Sequence, residues 1–160
     1  MSLLSAAVNV ITTDGPGGRY GLTASAVCSV TDSPPTVLVC INQKSATLPA
    51  LMKNRVACVN ILPGDREDVA REFAGMTLVP QAERFRSEAW EEGRLGVPVL
   101  REALSSLEGR IADIKTVGSH TVLFLEIATL QLRGDGDGLA YFGRNFHRMS
   151  RCMPVPATSR

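Results

Sequence analysis

The sequence predicts a mostly β protein, a small antiparallel barrel of about seven strands with Greek-key-like order and short inserted helices. Three observations lead there. Runs rich in valine, isoleucine, leucine and threonine recur along the chain, most are separated by clusters of glycine, proline and aspartate, and two stretches alone carry helical punctuation. A doubly wound parallel sheet would need a helix between successive strands, and that alternation is missing.

The first run, "SAAVNVITT" (5–13), closes in "DGPGG" (14–18), a reversal built from chain-turning residues. "RYGLTASAVCSV" (19–30) follows as its hairpin partner. From Gly21 to Val30 it holds nothing larger than leucine and keeps Thr23, Ser25, Cys28 and Ser29. Either these are half-buried positions of no consequence, or something flat lies against the strand and needs room. "TDSPP" (31–35) breaks the chain, because proline cannot donate to a ladder. "TVLVCIN" (36–42) is continuously apolar, the pattern of a strand covered on both faces. "SATLPALMKN" (45–54) reads as a short helix with Ser45 near its start and Asn54 near its end.

After the strand "RVACVNIL" (55–62) comes the clearest helix, "GDREDVAREFAG" (64–75). Asp65 stands as its N-cap, acids fill the first turn, Val69 and Phe73 fall four apart, and Gly75 stops it. From Met76 to Pro98 the pattern weakens, with Phe85 and Trp90 as large apolar anchors. "ALSSLEGRIADIKTV" (103–117) opens ambiguously, but Ile111, Ile114 and Val117, with Gly109 in mid-run, favour a long strand. "GSH" (118–120) reverses the chain into "TVLFLEIATLQLR" (121–133), the plainest strand of all. "GDGDG" (134–138) then turns it into "LAYF" (139–142). Residues 1–150 read as one domain, and 151–160 as a flexible tail.

Composition narrows the function classes. With 160 residues there is material for one domain with a real core. A net charge of +1 gives no electrostatic ground for nucleic acid or an anionic membrane. No stretch approaches the ~20 apolar residues that span a bilayer, and the start lacks the basic region of a secretory signal. Cys28, Cys40, Cys58 and Cys152 show neither C-x-x-C spacing nor neighbouring histidines. The first three sit in apolar runs as small hydrophobes, and a reducing cytoplasm is the expected setting.

Motifs that mislead are turns. "GPGGRYG" does not fit G-x-G-x-x-G and opens no strand-turn-helix unit, and "GDGDG" lacks the later bidentate acid of a calcium loop. "INQKSAT" (41–47) holds more promise. A strand ends at Asn42, and Lys44, Ser45 and Thr47 surround a helix start whose free amides could hold a phosphate, although Ser45 could equally cap the helix. The two histidines, His120 at a reversal and His147 at the end of "YFGRNFH", have no partner at metal-ligand spacing. Arg84 and Phe85 could hold an anion beside an apolar surface, or anchor a loop. No acid/base pair or nucleophile follows from spacing.

Together, "LSAAVNVITTDG", "GLTASAVCSVTDSPPTVLVCIN", "QKSAT", "CVNIL", "FAGMT" with "ERF", "SLEGRI", "VGSHTVLFLEI" and "GLAYFGRNFH" resemble the short-chain flavin reductase family, from about Leu4 to His147. Within it the likeness is to reductase components of two-component monooxygenases, with the flavin reductase of pyrimidine degradation as the alternative. The resemblance implies an FMN-binding split β-barrel, a homodimer, that uses NADH or NADPH to reduce FMN or FAD and hands reduced flavin to a partner monooxygenase. It implies that Thr23, Ala24, Ser25, Ala26 and Ser29 lie along the flavin, and that Asn42, Lys44, Ser45, Ala46 and Thr47 border its phosphate. Arg84 and Phe85 match a flavin-contacting loop. His120 and the run Arg144, Asn145, Phe146, His147 match the side where the nicotinamide nucleotide docks, the histidines as positioning candidates. Family members carry a further amphipathic segment ahead of the residues matching Ser2 to Leu4, so part of the dimer surface or flavin cover would be built differently here. A non-catalytic flavin-binding module and an oxidase with its own substrate are the competing classes.

Overall fold

The computed structural model describes residues 3–133 and 135–151 of the chain. In chain order the strands are β1 (Ala6–Ala7), β2 (Asn9–Thr13), β3 (Tyr20–Ala24), β4 (Val27–Asp32) and β5 (Pro35–Asn42). Then come α1 (Thr47–Asn54), β6 (Val56–Ile61), α2 (Glu67–Phe73) and a single 3-10 turn, Gln81–Glu83. The rest are β7 (Trp90–Glu92), β8 (Pro98–Leu100), β9 (Ser105–Val117), β10 (His120–Leu132), β11 (Gly138–Phe142) and β12 (Asn145–Met149). The expected strands and both helices are present. The sequence reading missed β7, β8 and β12. The tail beyond Arg151 lies outside the described residues.

One sheet dominates, in the order β3-β2-β6-β9-β10-β5-β4, every neighbour antiparallel. In an antiparallel series of seven, the first and last strands run the same way. Here those two strands are consecutive in the chain, joined by Ser25 and Ala26 alone. The sheet must therefore curl until its two edges meet in one bent strand. No ladder joins β3 to β4 among the described residues, so the cylinder stays split along that line. The run 19–30, expected as one strand paired with the first, is thus two strands with different partners. Barrel curvature costs regularity elsewhere: β9 and β10 slip register twice, at Ala112 and Ala128, as bulges that bend a long hairpin.

The barrel interior is filled by Ile11, Val39, Ile41, Leu51, Val59, Leu123 and Leu125, with Ala24 and Leu48 at its margin. A second core lies outside the wall, where Val8, Val10 and Leu62 meet Val69, Ala70 and Phe73 of α2, with Phe85, Leu100 and Leu139. β2 serves both, Ile11 pointing in and Val10 out, so all five of its residues are buried. Asn60 pins the wall between them. Its amide donates to the Val10 carbonyl and the Thr12 hydroxyl, and its carbonyl accepts from Leu100 N–H and the Ser106 hydroxyl. Four strands meet on one side chain.

Two details of β5 and the cysteines differ from expectation. β5 is covered on one face only: Val39 and Ile41 are buried, while Leu38 and Cys40 are half-buried. Cys58 is the buried hydrophobe expected, its thiol pushed up by burial and then by the Glu108 charge, but Cys28 is exposed. Helix ends follow backbone rather than side-chain rules. Arg66 N–H donates to the Pro63 carbonyl, and the helix opens at Arg66, not Asp65, without a side-chain cap. α2 stops as expected at Gly75 (φ 74°), with Gly75 N–H on Glu72 and Met76 N–H on Arg71.

Candidate functional site

The small residues of 21–30 surround the bend where β3 becomes β4. Gly21 is small for a packing reason: a Cβ there would come within 2.6 Å of the Phe73 ring. Phe73, Phe85 and Trp90 form a mutually tilted aromatic cluster with centroids 5.1–5.2 Å apart. Phe85, expected beside a ligand, is buried in that cluster and anchors the loop that carries Arg84. Ala24 faces the barrel core, so it offers a ligand only backbone. Thr23 donates its hydroxyl to the Ala70 carbonyl of α2 at 2.7 Å. Ser25 and Ala26 are exposed, and the Ala26 carbonyl takes the Cys40 N–H of β5 at 2.9 Å. Ser29 stands apart, opening on an apolar groove lined by Pro35, Val37 and Leu130.

β5 ends at Asn42, and the chain folds tightly before α1. Asn42 Oδ1 accepts Lys44 N–H, the Asn42 carbonyl accepts Ser45 N–H, and Ser45 Oγ accepts Thr47 N–H at 3.3 Å. The Ser45 carbonyl takes Leu48 N–H. The helix start therefore offers fewer free amides than the sequence implied, because polar side chains satisfy them locally. Among the described residues Ala46 N–H keeps no partner, beside an exposed Lys44 and the Ser45 hydroxyl proton. His120 joins this corner, paired with Asn42 across the β5–β10 ladder, its Nδ1 3.0 Å from Ser119 Oγ.

Two loops then close on one acceptor. The Gly21 carbonyl receives Thr47 Oγ1 at 3.2 Å from the α1 side and Gln81 Nε2 at 3.1 Å from the 3-10 turn. Gln81 Oε1 in turn accepts Arg84 Nη1 at 2.8 Å. Arg84 Nε is bonded to the Val79 carbonyl, and the guanidinium lies over the Phe73 ring. The Glu72 carboxyl of α2 is raised by burial, with the Arg84 charge opposing the shift.

On the other flank, Thr23, Ser25, Met76, Tyr141 and Phe146 line a cavity of about 120 Å³. Phe146 packs edge-on against Tyr141, with the Arg71 guanidinium 5.3 Å from its ring centre. Gly143 and Arg144 both take positive φ in the two-residue turn between β11 and β12, which fixes the expected run 144–147 on the second sheet. His147 is exposed, with Nε2 3.0 Å from the Phe142 carbonyl. His120 and His147 belong to different sheets and share no hydrogen-bond partner. Sequence reasoning missed Gly21, Arg71, Gln81 and Tyr141. The signal for Gly21 was its place in a stretch of small residues, whereas Gln81 acts across sixty positions and left none.

Known proteins share this fold. Residues 1–150 match the model of the flavin reductase like domain. The chain is 55% identical to the 4-hydroxyphenylacetate 3-monooxygenase reductase component of Pseudomonas aeruginosa, covering 93% of this chain and 88% of that one. It is 46% identical to the FMN reductase (NADH) RutF of Pantoea ananatis, over 94% of this chain and 78% of that one. The Streptomyces globisporus NADH:FAD oxidoreductase SgcE6, solved in complex with NAD and FAD fragments, superposes with a TM-score of 0.85 at 26% identity. That superposition covers 99% of this chain and 90% of that one. A bent strand of small residues, two loops tied to its backbone, and a match along nearly the whole sequence agree: the chain belongs to the flavin reductase like domain family.

Proposed function

We propose that the chain is an NADH-dependent flavin reductase that takes FMN or FAD and supplies reduced flavin to a separate monooxygenase. The observation that carries this reading is the seam at Ser25 and Ala26, an exposed stretch of small side chains flanked by hydrogen-bonding loops. Those residues fit a flat ring with an anionic tail. Ser25 and Ala26 would admit the ring to the backbone. The Ala46 N–H, the Ser45 hydroxyl and Lys44 would hold a phosphate, and Arg84 would add charge at the rim. The exposed rings of His120 and His147, with Arg144 and Phe146, would orient the nicotinamide nucleotide. Flavin and NADH between them supply hydride transfer. The chain need only bind, align and exclude water, which accounts for a site without an acid/base pair.

The Pseudomonas relative favours a 4-hydroxyphenylacetate 3-monooxygenase as the partner, and the RutF relative keeps pyrimidine degradation as the second reading. No helix among the described residues is long and apolar enough to cross a membrane. The free Cys28, Cys40 and Cys58 support a reducing, cytoplasmic setting. A homodimer is supported by the half-covered outer face of β5, next to exposed Val30 and Leu130. Sedimentation would show one species of twice the chain mass. The test of function is direct. Purified protein mixed with NADH and FMN or FAD in air should consume NADH steadily. A yellow protein without turnover would instead identify a flavin-binding module.

A further inference from the structure

We propose that Gln81 is a positioning residue for flavin binding, acting through Arg84. It rests on the reading of Arg84 as flavin-facing. Gln81 is the only side chain among the described residues that joins Arg84 to β3: one end of its amide donates to the Gly21 carbonyl, the other accepts from Arg84 Nη1. With Nε on the Val79 carbonyl and the plane over Phe73, the guanidinium is held on three sides. Its Nη2 keeps no hydrogen bond among the described residues and Nη1 spends one N–H of two, so donors are left to meet a ligand.

The energetic reason for such a strap is preorganisation. A free arginine carries rotamer entropy that a ligand must otherwise overcome on binding. Fixing the side chain in the folded protein removes that cost from the binding step. Glu72 is the competitor. Its carboxyl feels the guanidinium charge, and Gln81 is the partner that ties the guanidinium to β3 instead. The same Gly21 carbonyl that Gln81 grips also takes Thr47, so the rim arginine and the turn before α1 share one reference point on β3.

The test is a double-mutant cycle on the full chain with Gln81→Met, Arg84→Met and the double variant. Flavin dissociation constants are measured by fluorescence titration without NADH. The thermal midpoint, kcat at saturating flavin and KM for NADH are measured alongside. Gln81→Met should weaken flavin about five- to tenfold, while kcat and the NADH KM stay within about twofold. The double variant should bind flavin no more weakly than Arg84→Met alone. Losses that multiply in the double variant, or a Gln81→Met protein that binds flavin normally while Arg84→Met does not, would overturn the role of Gln81. A Gln81→Met loss that comes with a collapsed midpoint and kcat would make it a structural residue. An Arg84→Met protein with unchanged flavin affinity would overturn the flavin-facing reading itself, and this proposal with it.

Discussion

The two sides of the barrel are built on opposite terms. Along β2 and β6, side chains are buried on both faces and polar groups are satisfied inside the protein, Asn60 alone joining four strands. Along the seam between β3 and β4 the sheet has no ladder, the residues are small, and Ser25 and Ala26 face solvent. Stability is concentrated in the wall, and the seam keeps unsatisfied room. Separating the two lets a site stay open to an exchanging cofactor without endangering the fold.

Asn60→Ala should cause the largest change. It takes the acceptor away from the buried Leu100 N–H and Ser106 hydroxyl in the wall, at a cost of about 3 kcal/mol in urea unfolding. Flavin affinity of the folded fraction should hold. An unfolding midpoint equal to the parent's would mean the wall is not where stability resides. Ala26→Trp should do the reverse, weakening flavin by tenfold or more in a fluorescence titration while the thermal midpoint stays within about 2 °C. A stable variant with parental affinity would break the contrast from the seam side.

Ser45→Ala should weaken flavin by about three- to tenfold, because the hydroxyl both orders the turn and presents a donor. His120→Ala and His147→Ala should mainly raise the KM for NADH, with kcat at saturating NADH reduced no more than about threefold. Abolished turnover in either would show that alignment is not all the chain supplies. The smallest effect lies far from both regions, at Asp137. Its carboxyl is held below the usual aspartate range by Arg151 N–H and then by the Arg148 guanidinium. A carboxylate with a depressed folded pKa stabilises above its unfolded pKa of about 4 and loses that contribution as pH falls through the folded value. Asp137→Asn should therefore lower the thermal midpoint slightly above about pH 4, and the difference from the parent should vanish as the pH falls below that.

How much was legible follows the same divide. The wall is written in local patterns: apolar runs, glycine turns, and a helix stopped at Gly75. The residues that make the seam were visible as small side chains, but its nature was not. Nothing in "GLTASAVCSV" marks Ser25 as the point where a strand leaves one edge of a sheet for the other, because that depends on the odd strand number and the closure of the whole sheet. The strand β12 hid behind an Arg144 held at φ 66°, where a turn signature would show asparagine or glycine. Phe85 read as a ligand neighbour or a loop anchor, because sequence alone does not show that its ring packs on Phe73 and Trp90. Hydrogen bonds from Thr47 and Gln81 to Gly21 span distances along the chain that no local pattern encodes.

The central claim is that flavin lies in the seam. A crystal structure of the protein grown with FMN tests it most directly. The ring system should lie against the Ser25–Ala26 backbone, with its phosphate at Ala46 N–H and Ser45. Ring density anywhere else on the molecule, with the seam closed by side chains or by water alone, would contradict it.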